Sequence, residues 1–123
     1  MNSLIKISFG TLFLLSSSIA FACDYPERPA MPDGSTASKD ELLAAKNSVQ
    51  DFMAKVDEYL NCIEGEEKAA VEAMDNPSEE ETQRRDAMLN KKFDAANEEK
   101  ALLGEQFNQE IRAYNQKIQE SKE

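Results

Sequence analysis

Two cysteines, Cys23 and Cys62, and a run of carboxylates near the middle of the chain are the groups whose type and spacing bear most directly on chemistry. A cysteine pair can serve as a redox couple, a soft-metal site or a structural bridge. Cys23 and Cys62 lie far apart in sequence and do not form a Cys-x-x-Cys unit beside a basic group, so a structural bridge is expected over a reactive thiol. The acidic run comprises Glu64, Glu66, Glu67, Asp75, Glu79, Glu80 and Glu81, the donor type that a hard cation such as calcium requires. No Asp-x-Asp-x-Asp-Gly loop accompanies it, and Arg84 and Arg85 follow directly. Helical pairs Glu80 with Arg84 and Glu81 with Arg85 are expected to neutralise part of the run, which reads as a solvated face laced with ion pairs.

Catalysis is constrained by what is missing. The chain has no His, which removes every Ser-His, Cys-His and His-based zinc arrangement. Paired carboxylates can still act as acid and base in a glycosidase, but only across a concave cleft. The elements derived below give a thin structure without one, so no catalytic residue, no metal ligand and no cofactor is expected. Tyr25, Tyr59 and Tyr114 read as core-edge aromatics, and the methionines are too scattered to form a copper site.

The N-terminal 22 residues have the form of a cleaved secretory signal. Lys6 precedes the apolar run Ile7 to Leu15, and Ala20-Phe21-Ala22 supplies the small-x-small pattern for cleavage between Ala22 and Cys23. The apolar run falls short of the about 20 residues that span a bilayer, and no second such stretch follows. A periplasmic or secreted protein is therefore expected, with Cys23 as its first residue. A lipid anchor on Cys23 is the competing reading, but bulky Phe21 fits a lipoprotein signal poorly. In an oxidising compartment an even cysteine count favours a disulfide between Cys23 and Cys62, a free or intermolecular thiol being the remaining option.

Segments 23–37 and 38–123 differ in kind. Pro26, Pro29 and Pro32 make the first an extended arm, and Pro32-Asp33-Gly34 supplies a turn at its end. Ser38-Lys39-Asp40-Glu41 is a capping box that opens a helix. Cys62 then lies about 36 Å up the helix axis at 1.5 Å per residue. In polyproline II form the arm reaches about 46 Å, enough to run back along that helix and bring Cys23 to Cys62.

The composition after Ala22 is ambiguous. Leu, Ile, Val and Phe make up 15 of 101 residues, a level associated with disorder, whereas Ala, Glu, Lys, Leu and Arg make up 48, a level associated with long helices. Periodicity decides for helix. Leu42, Val49, Val56, Ile63 and Ala70 occupy one heptad position and Ala45, Phe52, Tyr59 and Ala73 another, with Met53 and Leu60 widening the stripe. This predicts a first helix over about 39–75, ended by Pro77, with a kink or break at Gly65 as the alternative. Either Asn76 with Pro77 at the first helical position, or Ser78 with Glu81 in a capping box, starts a second helix over about 77–119. Its stripe is Leu89, Phe93, Ala96, Leu103, Phe107, Ile111, Tyr114 and Ile118, interrupted by Lys100 and closer to an 11-residue repeat than to strict heptads.

Folding the chain about Asn76 matches the two stripes. Ile63 meets Leu89, Leu60 meets Phe93, Val56 meets Ala96, Val49 meets Leu103, Ala45 meets Phe107 and Leu42 meets Ile111, and Arg84 and Arg85 face Glu66 and Glu67. The expected fold is all-α, an antiparallel two-helix hairpin with coiled-coil character whose Pro-rich arm packs back on helix 1 under a disulfide. Tyr114 and Ile118 have no partner on helix 1, and Tyr25 and Met31 of the arm are the available cover.

The pattern Cys23-x2-Pro26-x2-Pro29-x2-Pro32-Asp33-Gly34, with Thr36-Ala37-Ser38, Glu41-Leu42, Lys46, Val49, Asp51-Phe52 and Tyr59-Leu60-x-Cys62, resembles a group of small secreted proteins of Gram-negative bacteria that has no assigned activity. The resemblance covers residues 23 to about 63. It implies a periplasmic or secreted protein with a Cys23 to Cys62 bridge and carries no catalytic residues. Lys46 and Asp51 belong to the pattern without a core role and are expected to clamp the arm.

Once Lys6 leaves with the signal, 24 acids face 13 Lys and Arg, a formal balance of −11. That disfavours nucleic acid and anionic bilayers as partners and favours a basic protein partner by steering. The expected function is that of a non-catalytic, protein-binding module of the cell envelope. The alternative is a structural or self-associating helical protein, a homodimer joined through Leu43, Leu102 and Ala113, followed by an acidic cation-binding protein.

Overall fold

A computed structural model describes residues 23–123, so the signal segment 1–22 lies outside the described residues. Two helices, α1 (Lys39–Glu72) and α2 (Glu79–Glu120), pack antiparallel, and an extended arm lies on the pair. At 1.5 Å per residue α1 is about 51 Å long and α2 about 63 Å, so the molecule is an elongated hairpin. Among the described residues no helix is long and apolar enough to cross a membrane.

α1 opens at the capping box read from the sequence. The Ser38 hydroxyl accepts from the Glu41 N–H at 3.2 Å, and the Ser38 N–H donates to the Glu41 carboxylate at 2.7 Å, satisfying two helix-end donors at once. Helix α1 continues through Gly65 without a break, and a Cβ at Gly65 would meet nothing within 4 Å. The glycine sits on open surface, so its cost is confined to backbone entropy and cooperative packing on either side carries the helix through.

Both ends at the hairpin turn differ from the sequence expectation. α1 stops at Glu72 rather than near 75, because the reversal is made by Asn76 in left-handed conformation, φ 50°, a geometry Asn tolerates better than most residues. Asn76 is therefore not a cap, and Pro77 precedes the helix instead of occupying its first position. Ser78 caps α2, its hydroxyl accepting from the Glu81 N–H at 3.1 Å. The Glu81 carboxylate turns to Arg84 rather than back to the Ser78 N–H, so this second box is only half formed.

The core is one seam. Val49, Phe52, Val56, Leu60, Ile63, Ala96 and Leu103 form a single buried cluster, flanked by half-buried Met31, Leu89, Phe93 and Phe107. Ile63 and Leu89 line the same cleft near the tip, and Leu42 and Ile111 line another near the base, as the matched stripes require. Lys100, which interrupts the α2 stripe, reaches over the seam edge to Asp57 at 2.5 Å. Its apolar stem covers hydrophobic surface while its ammonium stays solvated.

Arm residues 23–37 run antiparallel to α1 and so alongside α2. Cys23, Pro26, Pro29 and Pro32 are half-buried while most residues between them are exposed. A repeat of three is the period of polyproline II, so the spacing read in the sequence turns one edge of the arm inward. The arm rests on both helices, not on α1 alone. Arg28 donates to Glu99 at 2.5 Å and to Gln106 at 2.8 Å, and the Gly34 N–H donates to the Glu110 carboxylate at 2.7 Å, all on α2. A Cβ at Gly34 would collide with the Glu110 backbone carbonyl, so glycine is what allows the turn to seat against α2.

Candidate functional site

Cys23 and Cys62 are joined, with Cα atoms 5.7 Å apart. Their sulfurs and the Glu66 carboxylate lie within 4.8 Å of one another. Sulfurs engaged in a disulfide offer no thiolate to a metal and no nucleophile to a lipid donor, so the bridge acts as a fastener. It holds the start of the arm on α1, where the Tyr25 ring of the arm meets Tyr59 edge-on at 5.0 Å and Phe52 at 6.2 Å. Burial, then the nearby Glu99 carboxylate, pushes the Tyr25 phenol up from its ordinary value.

The arm reaches the far end, but with residues 33–37 and not with Tyr25, which the sequence reading expected there. Tyr25 sits beside Tyr59, well away from Tyr114 and Ile118. At that end the Lys117 ammonium donates to the Ala37 carbonyl at 2.5 Å and lies 4.9 Å from the Tyr114 ring centroid. The arm's length fixes this outcome: once Cys23 is held at Cys62, its opposite end, 33–37, reaches the base of α2.

Neither Lys46 nor Asp51 clamps the arm. Asp51 pairs with Lys55 one turn along α1, at 2.7 Å. Lys46 lines a cleft formed with α2 on the other side of the seam. At 3.6 residues per turn, Glu41, Ala44, Ser48, Lys55 and Tyr59 share the arm's side of α1, whereas Lys39, Leu43 and Lys46 share the opposite side.

At the tip the ion pairs differ in partner from those read in the sequence. Arg85 holds Glu67 through two bonds, at 2.7 and 3.0 Å, so it crosses to α1 instead of pairing with Glu81. Arg84 takes Glu81 at 3.5 Å rather than Glu80. Among the described residues the cysteine pair with Glu66 is the one group of three possible ligands that converges. The tip cleft, about 410 Å³, is lined by Glu66, Glu67, Arg84, Arg85 and Lys92 around Ile63, Ala70, Met88 and Leu89, a wall of mixed charge.

Four further shifts arise at the surface. Asp33 is held below its usual range by the Ser35 hydroxyl and N–H, and Glu41 by the Ser38 N–H and hydroxyl. Arg112, with Gln109, lowers Glu105, and Asp51 raises Lys55. Each cause is a capping, turn or ion-pair contact, and among the described residues no polar or charged side chain is buried.

The feature that sequence reasoning missed is the cleft on the side away from the arm. It is an open groove of about 400 Å³ lined by Lys39, Leu42, Leu43, Lys46, Phe107, Asn108, Ile111, Tyr114 and Asn115. Two lysines one heptad apart, flanking Leu42 and Leu43, were the available signal; they become a site only once α2 supplies the second wall.

The fold defines a class: a disulfide-clasped helical hairpin with an extended arm as its third layer. Compared with protein families, curated proteins and solved structures, the chain matches none. The functional reading therefore rests on the geometry above.

Proposed function

We propose that this chain is an exported, non-catalytic binding module of the cell envelope whose principal partner is a basic protein. The observation that carries the reading is where its charge lies. Of the 24 acids after Ala22, most sit on the solvent-facing surfaces of the two long helices, and no polar side chain among the described residues is buried. Catalytic groups are ordinarily tuned by burial and convergence, whereas a long acidic surface steers and orients a cationic partner. The disulfide and the lack of a spanning helix among the described residues are compatible with an oxidising, extracytoplasmic setting. The test is capture from envelope extract on immobilised, oxidised protein at low salt. A basic protein retained at low salt and released as salt rises is expected, and retention of nothing overturns the reading.

A second reading, self-association, is favoured by the exposure of Leu43 at 49% and Leu102 at 53%. Isolated exposed leucines are common on monomers, which places this reading second. A strictly monomeric species in sedimentation at high protein concentration rules it out.

A further inference from the structure

A two-helix hairpin has two grooves along its seam, and here only one is filled. The arm occupies the first, where α2 presents Glu99 and Glu110, and the arm answers with a cation, Arg28 on Glu99, and with a backbone N–H, Gly34 on Glu110. The second groove reverses this chemistry. Its wall holds Lys39 and Lys46, two asparagines and an apolar floor that includes Leu42, Phe107 and Ile111, and it contains no carboxylate, in a chain where acids outnumber bases 24 to 14. Among the described residues neither lysine makes an ion pair. Lys39 stands in the first turn of α1, where the helix dipole disfavours a cation, so helix stability does not account for its charge.

We infer that this open groove binds a single-chain anionic amphiphile, a fatty carboxylate, with the apolar chain along the Leu42, Phe107 and Ile111 floor and the carboxylate paired with Lys39 or Lys46. The volume, about 400 Å³, falls in the range of small-ligand sites. The two ammonium groups stem from positions about 10 Å apart along α1 at 1.5 Å per residue, flanking the floor at both ends. Long-range charge narrows the occupant further. The balance of −11 repels polyanions such as nucleic acid or an anionic bilayer at distance, while a ligand with one charge meets little of that field and gains the local lysines. This site is separate from the acidic outer faces invoked for a protein partner, and either reading can fail without the other.

The test is titration of the intact, disulfide-bonded chain with decanoate below its micelle threshold, followed by amide and methyl NMR shifts. Saturable binding with Kd at or below about 1 mM is expected, with shifts centred on Leu43, Lys46, Phe107, Asn108 and Ile111. The double substitution K39Q/K46Q removes the one solvated ion pair that either lysine offers the carboxylate and is expected to weaken decanoate about threefold to fivefold with an unchanged melting curve, since both lysines are exposed. Decyltrimethylammonium, with the same tail and opposite charge, is expected to shift these groove residues of the unaltered protein no more than decanoate shifts them in K39Q/K46Q. No saturable binding, equal binding of the cationic analogue, an unaffected K39Q/K46Q variant, or shifts centred on the tip cleft would each overturn the inference. So would a short acidic amphipathic peptide that shifts the groove when decanoate does not, since that would assign the groove to a protein segment.

Discussion

The half of the hairpin under the arm and the half beyond the disulfide are built from the same two helices, yet only the first buries side chains. From Leu42 to Ile63 on α1, and at Ala96 and Leu103 on α2, the seam is closed to solvent; between Glu64 and Ala95 no residue is buried. The difference is one of layers. Two helices in contact cover a single stripe each, and a third element is needed to cover the seam's flank. Among the described residues the arm supplies that element between residue 37 and Cys23, which the disulfide fixes on α1. Beyond it the helices rely on Arg85 gripping Glu67, both 23% exposed, a contact of modest worth.

If the clasp creates this difference, removing it should have the largest effect. Cys23→Ser with Cys62→Ser, or reduction of the bridge, releases a loop of 39 residues and is expected to cost about 4 kcal/mol by the chain-entropy estimate. Denaturant unfolding measures the loss, and hydrogen exchange should show the 42–60 region falling toward the protection of the tip. Equal protection of both halves before reduction would break the comparison.

Paired core truncations sharpen it next. Leu103 is fully buried and Leu89 half-buried, so Leu103→Ala is expected to cost about 3 kcal/mol and Leu89→Ala about 1 kcal/mol, in proportion to the smaller area it removes from water. Similar losses by thermal melting at the two sites would show the tip to be as well packed as the base. Gly34→Ala forces the arm's turn off the Glu110 carbonyl and is expected to cost about 1–2 kcal/mol as overpacking. The tip's exchange rates should stay unchanged.

The smallest effect expected is with pH. The native contacts of Asp33 and Glu41 hold both carboxyls below their ordinary values of 3.8 and 4.5. Their stabilisation is therefore fully present above those values and is lost as pH falls through the lower, native-state values. Acid should loosen the junction of arm and α1, visible as faster exchange at the Ser38 and Ser35 amides before helix content drops. Loosening on raising the pH from neutral would contradict the assignment.

How much of this was legible depended on the range of the interaction. The capping box at Ser38 and Glu41 is a contact three residues long and was read directly. The antiparallel register was legible because two apolar stripes must meet and slipping one would expose leucines. The bridge was favoured by the even cysteine count, and the arm's reach allowed it. The exact turn was not legible, because Asn76 and Pro77 each suggest a boundary and only closure of the hairpin chooses between them. Arg85 was assigned half correctly: it faces Glu67 as the register required, but a bidentate grip across the seam displaces the local pairing with Glu81.

The sequence by itself determined the helices and their pairing, since these follow from periodicity and local caps, and favoured the clasp, since the arm is long enough to bring Cys23 to Cys62. Tertiary structure alone decided on which side of the seam the arm lies. An extended segment carries little periodic information about its neighbours, and its place is set by contacts seventy or more residues distant, Arg28 with Glu99 and Gly34 with Glu110. That choice fills the acidic groove and leaves the lysine-lined one open.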